Sequence, residues 1–349
     1  MGAGRLRAAG KVDVVTEDLI SRARAGDAEA FRALTEPHRR ELAVHCYRML
    51  GSMPDAEDAV QETLVAAWRG LAGFGERASI RTWLYRIATN QCLNALRAAR
   101  RRPAKAWDIP GVEPPEPTRL GEAVWLGPIP DVFAEGALGL PVGPEARYEQ
   151  RESISLAFVA ALQVLPPRQL AVVILRDVLG FRAGEVAEML DSTVASVNSA
   201  LKRARSNLER QRALWGQTDV QPAAGSPEED AIVARFVRAY ESSDLEALVE
   251  LFTDDIFVSM PPMPLEYEGR ERAAQFMELL FGSGRQYSLI PTRANGQPAF
   301  GAYVRGPDGT RRGASLFVLL IVNDRIRAMT RFENTVFGAF GLPQSLPER

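Results

Sequence analysis

The spacing of apolar residues changes along this chain, and the change divides it into three folded segments. Apolar residues recur at helical intervals over residues 17–102 and again over 145–214, whereas segment 227–349 begins with helices and then alternates with a period of two. Nine prolines between residues 103 and 144 prevent long helices there, and the polar stretch 215–226 forms a second break. We therefore predict two all-α domains followed by an α+β domain, joined by a Pro-rich acidic linker and a short polar linker.

The last segment shows the change of period most clearly. Within residues 325–333, the side chains of Ile326, Ala328, Thr330 and Phe332 alternate with those of Arg325, Arg327, Met329 and Arg331. This alternation predicts a strand with one covered face. Strands are also predicted at 286–289, 299–304 and 313–322, so that helices are followed by an antiparallel meander.

The composition indicates a soluble globular protein. Hydrophobic residues make up 46% of the chain and charged residues 25%, and no stretch approaches the ~20 apolar residues of a membrane span. The N-terminus lacks the apolar core of a secretion signal. Cys46 and Cys92 lie in helical patterns without metal-ligand spacing, which favours two small buried hydrophobic residues in a reducing cytoplasm. We expect a cytoplasmic protein with no metal and no cofactor.

Charge is distributed in blocks although the formal net charge is only −2. Residues 81–105 contain seven arginines or lysines and no acidic residue, whereas residues 106–150 contain eight acidic residues and two arginines. Blocks of opposite sign indicate that neighbouring segments have different partners.

Residues 183–205 have the pattern of a helix-turn-helix. The first helix places Val186, Ala187 and Leu190 on one side, and a turn follows at 191–193. The second helix directs four apolar side chains inward: Val197, Leu201, Ala204 and Leu208. Its other face carries Asn198, Ser199, Lys202 and Arg203. Such groups reach base edges or phosphates in a major groove, so the pattern favours DNA binding over the helical pairs of similar period found in enzymes.

Residues 55–68 are predicted to form a helix with two distinct faces. Its buried stripe consists of Val60, Leu64, Ala67 and Trp68. A second face, at positions i, i+3, i+4 and i+7, carries Asp58, Gln61, Glu62 and Val65. The residues alone leave two interpretations open, a solvated face and a surface that binds a basic partner.

Residues 81–102 form a second predicted helix, preceded by the glycine-containing loop 73–80. Its core stripe consists of Leu84, Ala88, Cys92, Ala95, Leu96 and Ala99. Another face carries six residues at helical intervals: Trp83, Arg86, Asn90, Asn94, Arg97 and Arg101. Aromatic, amide and guanidinium groups interleaved in this way suit single-stranded nucleic acid. A solvated basic helix with Trp83 in the core explains the same pattern equally well.

Taken together, the motifs resemble those of one known family. DAEDAVQETLVAAW at 55–68, RTWLYRIATN at 81–90, LPPRQLAVVILRDVLGF at 165–181 and EVAEMLDSTVASVNSALKRAR at 185–205 follow one another in the family's order and spacing. Over about residues 20–212 the chain is similar to an extracytoplasmic-function (ECF) sigma factor of bacterial RNA polymerase.

The resemblance implies a role for each of the three surfaces. In the family the acidic helix docks on the core polymerase, which implicates Asp58, Gln61 and Glu62. The basic helix and the preceding loop 73–80 melt and hold the −10 element, which implicates Trp83, Arg86, Asn90, Asn94 and, on the same face, Arg97. The helix-turn-helix reads the −35 element through Asn198, Ser199, Lys202 and Arg203, with Ser196 near a phosphate. Ala195 and Asn198 depart from the family's common Gly and Arg, so the −35 sequence read here differs from the commonest one.

The linker and the C-terminal segment carry further resemblances. Residues 118–131, TRLGEAVWLGPIPD, are similar to a motif of a subgroup with a C-terminal extension, and the acidity of Asp131 and Glu135 suits a basic nucleic-acid channel of the polymerase. Residues 227–349 resemble a SnoaL-like domain, whose cone fold also occurs in ketosteroid isomerase. Five carboxylates are available there: Asp254, Asp255, Glu266, Glu268 and Glu333. No acid/base constellation can be assembled from them, which favours a regulatory domain over an enzyme.

Three functions compete on this basis. The leading one is an ECF-type sigma factor that binds core polymerase and promoter DNA and is not an enzyme, with an anti-sigma factor or a small molecule as a further partner of the C-terminal domain. The alternative is a helix-turn-helix regulator whose cone binds or turns over a small hydrophobic molecule. An ordinary repressor is the third, and it leaves the acidic helix and the Trp83 face unexplained.

Overall fold

The computed structural model describes residues 15–75, 78–99, 105–107, 113–121, 126–138, 153–215 and 221–347. They form two compact units. The first unit contains the described residues of 1–100, 136–139 and 165–207, and the second contains those of 101–135, 140–164 and 208–349.

The helices and strands follow one another as the sequence pattern indicated, with several additions. The helices are α1 (residues 15–24), α2 (Ala28–Leu50), α3 (Met53–Gly70), α4 (Ile80–Ala99), α5 (Asp131–Leu138), α6 (Leu156–Gln163), α7 (Pro167–Val173, continued by a π-helical turn Ile174–Val178), α8 (Ala183–Met189), α9 (Val194–Trp215), α10 (Pro227–Glu241), α11 (Leu245–Glu250) and α12 (Arg270–Gly282). The strands are β1 (Arg119–Leu120), β2 (Phe252–Met260), β3 (Met263–Glu268), β4 (Tyr287–Ala294), β5 (Gln297–Arg305), β6 (Arg311–Val322), β7 (Arg325–Glu333) and β8 (Ser345–Leu346).

Local sequence signals set the helix ends in the first unit. The Asp27 side chain accepts a hydrogen bond from the backbone N–H of Ala30 at 3.0 Å and caps α2. Gly51 ends α2 with a φ of 73°, a conformation that glycine adopts without strain. Ser52 then caps α3. These residues reverse the chain between two long helices, which pack on each other and on α4.

The core of the first unit confirms most of the predicted stripes. On α4, Leu84, Ala88 and Cys92 are buried, as expected. On α3 the prediction was wrong at Trp68, which is 39% exposed and lies edge-on to the Phe31 ring with centroids 5.0 Å apart. One polar residue of the same helix, Thr63, does lie in the core. Thr63 is fully buried because its hydroxyl donates to the Ala59 carbonyl at 2.6 Å, which removes the cost of burying it.

The helix-turn-helix is formed by α8 and α9, as the periodicity indicated. Six of the seven predicted inward side chains are buried and Leu208 is half-buried; the buried ones are Val186, Ala187, Leu190, Val197, Leu201 and Ala204. Asp191 begins the turn with a φ of 46°. The hydroxyl of Thr193 accepts a hydrogen bond from the backbone N–H of Ser196 at 3.1 Å and caps the start of α9.

One mixed sheet organises the second unit. Its strand order is β1-β3-β2-β7-β6-β5-β4, with β8 paired to β6. Strands β4 to β7 form the predicted antiparallel meander, whereas β2 pairs with β7 in parallel. The sequence pattern did not predict β1, β3 or β8, because strands of two to six residues with turn residues beside them give little periodic signal.

Both faces of this sheet are covered, contrary to the expectation of one covered face. Helices α10 to α12 pack on the first face over an aromatic cluster that includes Phe236, Tyr240 and Phe317. On the second face, Leu156 of α6 packs against Phe332 and neighbouring residues. The second covering comes from a distant part of the chain, which no local alternation can reveal.

A bulge in β7 shifts the alternation that the sequence indicated. Leu320 pairs with Ala328, but its neighbour Ile321 pairs with Ile326, so Arg327 is one extra residue in β7. Consequently Ile326 packs with Met329 on the helix-covered face, whereas Ala328 faces the other side. The prediction that Ile326 and Ala328 share a face was therefore wrong.

Described residues of the Pro-rich linker between 105 and 135 pack on the C-terminal domain. Strand β1 pairs with β3, which places Arg119 opposite Glu266. The Tyr267 hydroxyl donates to the Pro115 carbonyl at 3.0 Å. Asn295 accepts a hydrogen bond from the Ile129 N–H at 3.0 Å and donates to the Ile154 carbonyl at 2.6 Å. The linker thus adds an edge strand and is held to the hairpin turn between β4 and β5.

Candidate functional site

Helix α3 presents an acidic surface with an apolar border. Asp58, Gln61 and Glu62 are all exposed on one side of this helix, as the spacing predicted. Val65, one turn further along, is 44% exposed, and Trp68 follows it. Carboxylates beside exposed aliphatic and aromatic groups form a surface suited to a basic, amphipathic partner helix.

Helix α4 carries the predicted nucleic-acid face, but its residues differ in accessibility. Asn94 and Arg97 are exposed and hydrogen-bonded to each other, with Arg97 Nη1 donating to Asn94 Oδ1 at 2.8 Å. Arg86 is exposed and Asn90 is half-buried. Trp83 is also half-buried, because its ring packs against Phe74 with centroids 4.9 Å apart. Trp83 therefore supports the loop 73–80, of which residues 76 and 77 lie outside the described part.

A buried polar network fixes α4 against α2. The Thr89 hydroxyl donates its proton to the Tyr85 carbonyl at 2.7 Å, so His45 Nε2, 2.9 Å away, must be the donor to the Thr89 oxygen. Among the described residues, Nδ1 of His45 is buried without a hydrogen-bond partner. Burial, together with the charges of Arg48 and Arg81, lowers the pKa of His45 to about 3. The imidazole is therefore neutral in the folded protein at physiological pH.

Glu41 of α2 connects the same helices nearer the surface. Its carboxylate accepts hydrogen bonds from Arg81 at 3.0 Å and from the Tyr85 hydroxyl at 3.3 Å, and lies 2.6 Å from His38 Nδ1. Burial opposes ionisation of this carboxyl, but the hydrogen bonds with His38 and Arg81 prevail and lower the pKa of Glu41. The start of α4 is thereby anchored by an ionised group.

Within the first unit, α4 also contacts the helix-turn-helix. Arg86 Nη2 lies 3.2 Å from Asp191 Oδ1. The Tyr85 and Phe181 rings meet with centroids 5.4 Å apart, and the Arg81 guanidinium lies 5.5 Å from the Phe181 centroid. Sequence reasoning missed this contact, since no periodic signal relates residues about a hundred positions apart.

Helix α9 presents the five predicted DNA-reading side chains on its surface. These exposed residues are Ser196, Asn198, Ser199, Lys202 and Arg203. The neighbouring Arg205 is held away from them by a bidentate pair with Asp177 at 2.7 and 2.9 Å. The face therefore combines two exposed cations with hydroxyl and amide groups, the combination that contacts phosphates and base edges.

The carboxylates of the C-terminal domain are dispersed rather than gathered around one point. Asp254 pairs with Arg270 at 2.9 Å and Asp255 with Arg327 at 2.6 Å, beside an open polar cleft at the β6–β7 turn. Three further carboxylates lie elsewhere on the sheet: Glu266 pairs with Arg119, Glu333 pairs with Lys105, and Glu268 is exposed. This arrangement is that of surface ion pairs.

Comparison with known proteins assigns each part of the chain. Residues 34–102 match the sigma-70 region 2 family, residues 155–208 match sigma-70 region 4, and residues 233–329 match the SnoaL-like domain. The ECF RNA polymerase sigma factor SigG of Mycobacterium tuberculosis is 44% identical over 335 residues, which cover 93% of this chain and 86% of SigG. The chain belongs to the ECF sigma factors.

A second relative resembles the chain in sequence, and a solved structure resembles it in fold. The ECF sigma factor SigM of Mycobacterium tuberculosis is 29% identical over 193 residues, covering 55% of this sigma factor and 82% of SigM. The crystal structure of the Mycobacterium tuberculosis ECF sigma factor SigJ shares the fold with a TM-score of 0.56 and 22% identity, over 89% of this chain and 99% of SigJ. In the described part of this sigma factor, no helix has both the length and the apolar character of a membrane span.

The region 4 match includes a helix that the fold assigns elsewhere. The match begins at residue 155 and so contains α6, which belongs to the second unit, whereas α7, α8 and most of α9 belong to the first.

Asn295, which holds the chain just before α6, was missed by sequence reasoning. The Asn-Gly pair at 295–296 was an available signal, because this dipeptide favours a tight hairpin turn.

Proposed function

We propose that this ECF sigma factor binds core RNA polymerase through the acidic face of α3 and recognises promoter DNA through α4 and α9. The observation that carries the proposal is the exposure of three chemically distinct surfaces on three helices of the matched sigma regions. Asp58, Gln61 and Glu62 form the polymerase surface. Neither DNA-reading helix must bind tightly by itself, because attachment to one polymerase raises the effective concentration of the other.

The residue roles follow the family motifs position by position. On α4, Arg86, Asn90, Asn94 and Arg97 contact the −10 element, and Trp83 stands where the family has an aromatic wedge. On α9, Asn198, Ser199, Lys202 and Arg203 read the −35 element, and Ser196 lies near a phosphate. Contact with the −10 strand requires Arg86 to exchange Asp191 for a phosphate or base.

The domain boundaries 17–102, 145–214 and 227–349 are part of the proposal. The three family matches fall inside them. The linkers 103–144 and 215–226 complete the division. Since described linker residues between 105 and 135 pack on the C-terminal domain, we propose that this domain modulates the sigma factor by controlling the linker. Entry of the acidic linker into a nucleic-acid channel then requires release of contacts such as Asp131 with Arg293 at 3.2 Å.

A non-enzymatic, cytoplasmic role completes the proposal. Four of the five candidate carboxylates are engaged in surface ion pairs with arginines or a lysine, and the fifth, Glu268, is exposed. The helix-covered face of the sheet, where a ligand of a hollow cone would lie, is filled by the aromatic cluster around Tyr240. The proposed partner, core polymerase, acts in the bacterial cytoplasm.

Charge reversal on α3 tests polymerase binding. We expect the double variant D58K/E62K to lose co-purification with core RNA polymerase, because two lysines repel a basic partner surface. The variant E278K changes an exposed glutamate on α12 and serves as the matched control. Retained association of D58K/E62K at wild-type yield removes this face as the docking surface.

A further inference from the structure

The second face of the sheet contains a cavity of about 50 Å³ beneath α6. Its floor consists of two rows of side chains across β6, β7 and β2. One row runs from Val318 through Thr330 to Ser259, and the next runs from Leu320 through Ala328 to Phe257. This face lies opposite the aromatic cluster, so the cavity is distinct from the interior of the cone.

Small residues leave the space open. On α6, the side of the helix that faces the floor carries Ala157 and Ala160, and Ala328 lies in the floor itself. Three alanines among larger side chains such as leucine, valine and phenylalanine leave a gap that the neighbouring side chains do not fill. Leu126 of the linker lines the same space.

Two of the polar residues of the cavity, Gln297 and Thr330, are buried, Ser259 is half-buried, and their hydrogen bonding is incomplete. Gln297 is 5% exposed, and within the described residues its side-chain amide has no hydrogen-bond partner. Ser259 Oγ and Thr330 Oγ1 lie 3.4 Å apart, so one of their two hydroxyl protons is left for a third group. The amide of Gln297 is therefore available to a molecule that enters the cavity.

We infer that this cavity binds a small neutral molecule with a short apolar body and one amide, carbonyl or hydroxyl group. Its wall carries no ionisable side chain, which excludes recognition of an acid or an amine by charge. Gln297 and the hydroxyl pair supply donors and an acceptor for the single polar group. The volume is about one third of the roughly 150 Å³ engineered cavity that holds benzene, which limits the enclosed part to a few heavy atoms.

The ligand contacts α6 as well as the sheet, so its binding is coupled to the packing of α6. Because α6 opens the region 4 match, the site gives the C-terminal domain a means of sensing a metabolite through a sigma region. Binding itself does not depend on the polymerase or promoter roles proposed above.

The test is a titration of the full-length protein, labelled with ¹³C in its alanine methyl groups, with propionamide. We expect saturable shifts of the Ala157, Ala160 and Ala328 methyl signals, with slower hydrogen exchange of the α6 amides. Propionate has nearly the same shape but a negative charge, and we expect it to bind at least tenfold more weakly. Shifts that grow linearly with propionamide, or equal binding of propionate, overturn the inference.

Variants of the wall provide an independent test. A328V fills the cavity with a residue that suits a strand, and Q297M removes the amide at similar length. We expect both to weaken propionamide binding at least tenfold, whereas A314V, a half-buried change in β6 outside the cavity, leaves it unchanged. If either A328V or Q297M fails to fold, propionamide binding is measured on the remaining variant and on the isosteric T330V. Wild-type affinity in all folded wall variants contradicts the site.

Discussion

At the scale of single residues, the sequence indicated which side chains face solvent better than which ones pair. Asp58, Lys202 and Arg203 are exposed as the helical spacing predicted. Trp68 is not in the core, although an aromatic residue at a heptad-like position favours burial. Helical spacing fixes an angle around an axis, but the depth of burial depends on the neighbouring helices, which the spacing does not report.

Substitutions on α9 separate base contacts from phosphate contacts. We expect K202A or R203A to cost about 1–3 kcal/mol of promoter-binding free energy and to relax preference at one base pair if the side chain meets a base. Loss of a phosphate contact instead weakens binding equally for all −35 sequences. It also lowers the slope of the logarithm of affinity against the logarithm of salt concentration by about one. Binding of the sigma–polymerase complex to a panel of −35 sequences, at several salt concentrations, distinguishes the two. The control is R238A, which replaces an exposed arginine on α10. If K202A and R203A bind promoter DNA with the same affinity as R238A, these two side chains of α9 do not contact DNA.

Asn295 offers a test of the linker's attachment. N295A leaves the buried Ile129 N–H and Ile154 carbonyl without their partner, each at a cost of about 1–3 kcal/mol. Alanine in the left-handed region adds about 1–2 kcal/mol. N323A, in the exposed β6–β7 turn with a φ of 55° against 58° at Asn295, isolates this conformational cost. In denaturant unfolding, we expect N295A to lose clearly more unfolding free energy than N323A. Equal losses for the two variants contradict the attachment of the linker through Asn295.

At the scale of elements, long periodic helices were predictable and long-range pairings were not. The helices α3, α4, α8 and α9 appear where the spacing placed them, because each buries a stripe that its own sequence defines. The parallel pairing of β2 with β7 and the bulge at Arg327 depend on strands far apart in the chain. The attachment of the linker to β3 likewise has no local signature. The surface residues of the candidate site were thus more predictable than the contacts that cover α4.

The packing of α2 on α4 predicts a pH dependence of stability. His45 has a pKa of about 3 in the folded protein, below the ordinary value of 6.5. The unfolded chain therefore binds an extra proton as pH falls below about 6.5, so the stability contributed by the neutral imidazole is present above pH 6.5 and is lost as pH falls toward 3. The slope amounts to at most about 1.4 kcal/mol per pH unit.

Urea unfolding between pH 6.5 and 5 measures this slope where few carboxyl groups titrate. We expect H45Q, whose amide retains a donor for Thr89, to show a smaller decrease in unfolding free energy as pH falls. The comparison concerns the slope of unfolding free energy against pH. A loss of stability in H45Q that is the same at every pH therefore does not affect it. Identical slopes for wild type and H45Q show that His45 is protonated in the folded protein.

At the scale of the whole molecule, the chain combines two sigma regions with a C-terminal domain. Segments that connect the sigma regions pack on this domain. The described residues of 101–135 and α6 belong to the unit of the SnoaL-like domain, whereas the three proposed recognition helices belong to the other unit for all or most of their length. The proposed regulation by the C-terminal domain would therefore act on the parts of the chain between the recognition surfaces. A truncation near Gln217 removes the sheet on which the linker and α6 pack, so point variants such as N295A test this regulation more cleanly.

Run-off transcription with purified core RNA polymerase tests the central claim most directly. The full-length protein is compared with D58K/E62K on a cognate promoter and on the same template with a pre-melted −10 region. We predict a specific transcript from both templates with the wild-type chain and none with the α3 variant. Absence of any transcript with the wild-type protein, even from the pre-melted template, would contradict the account.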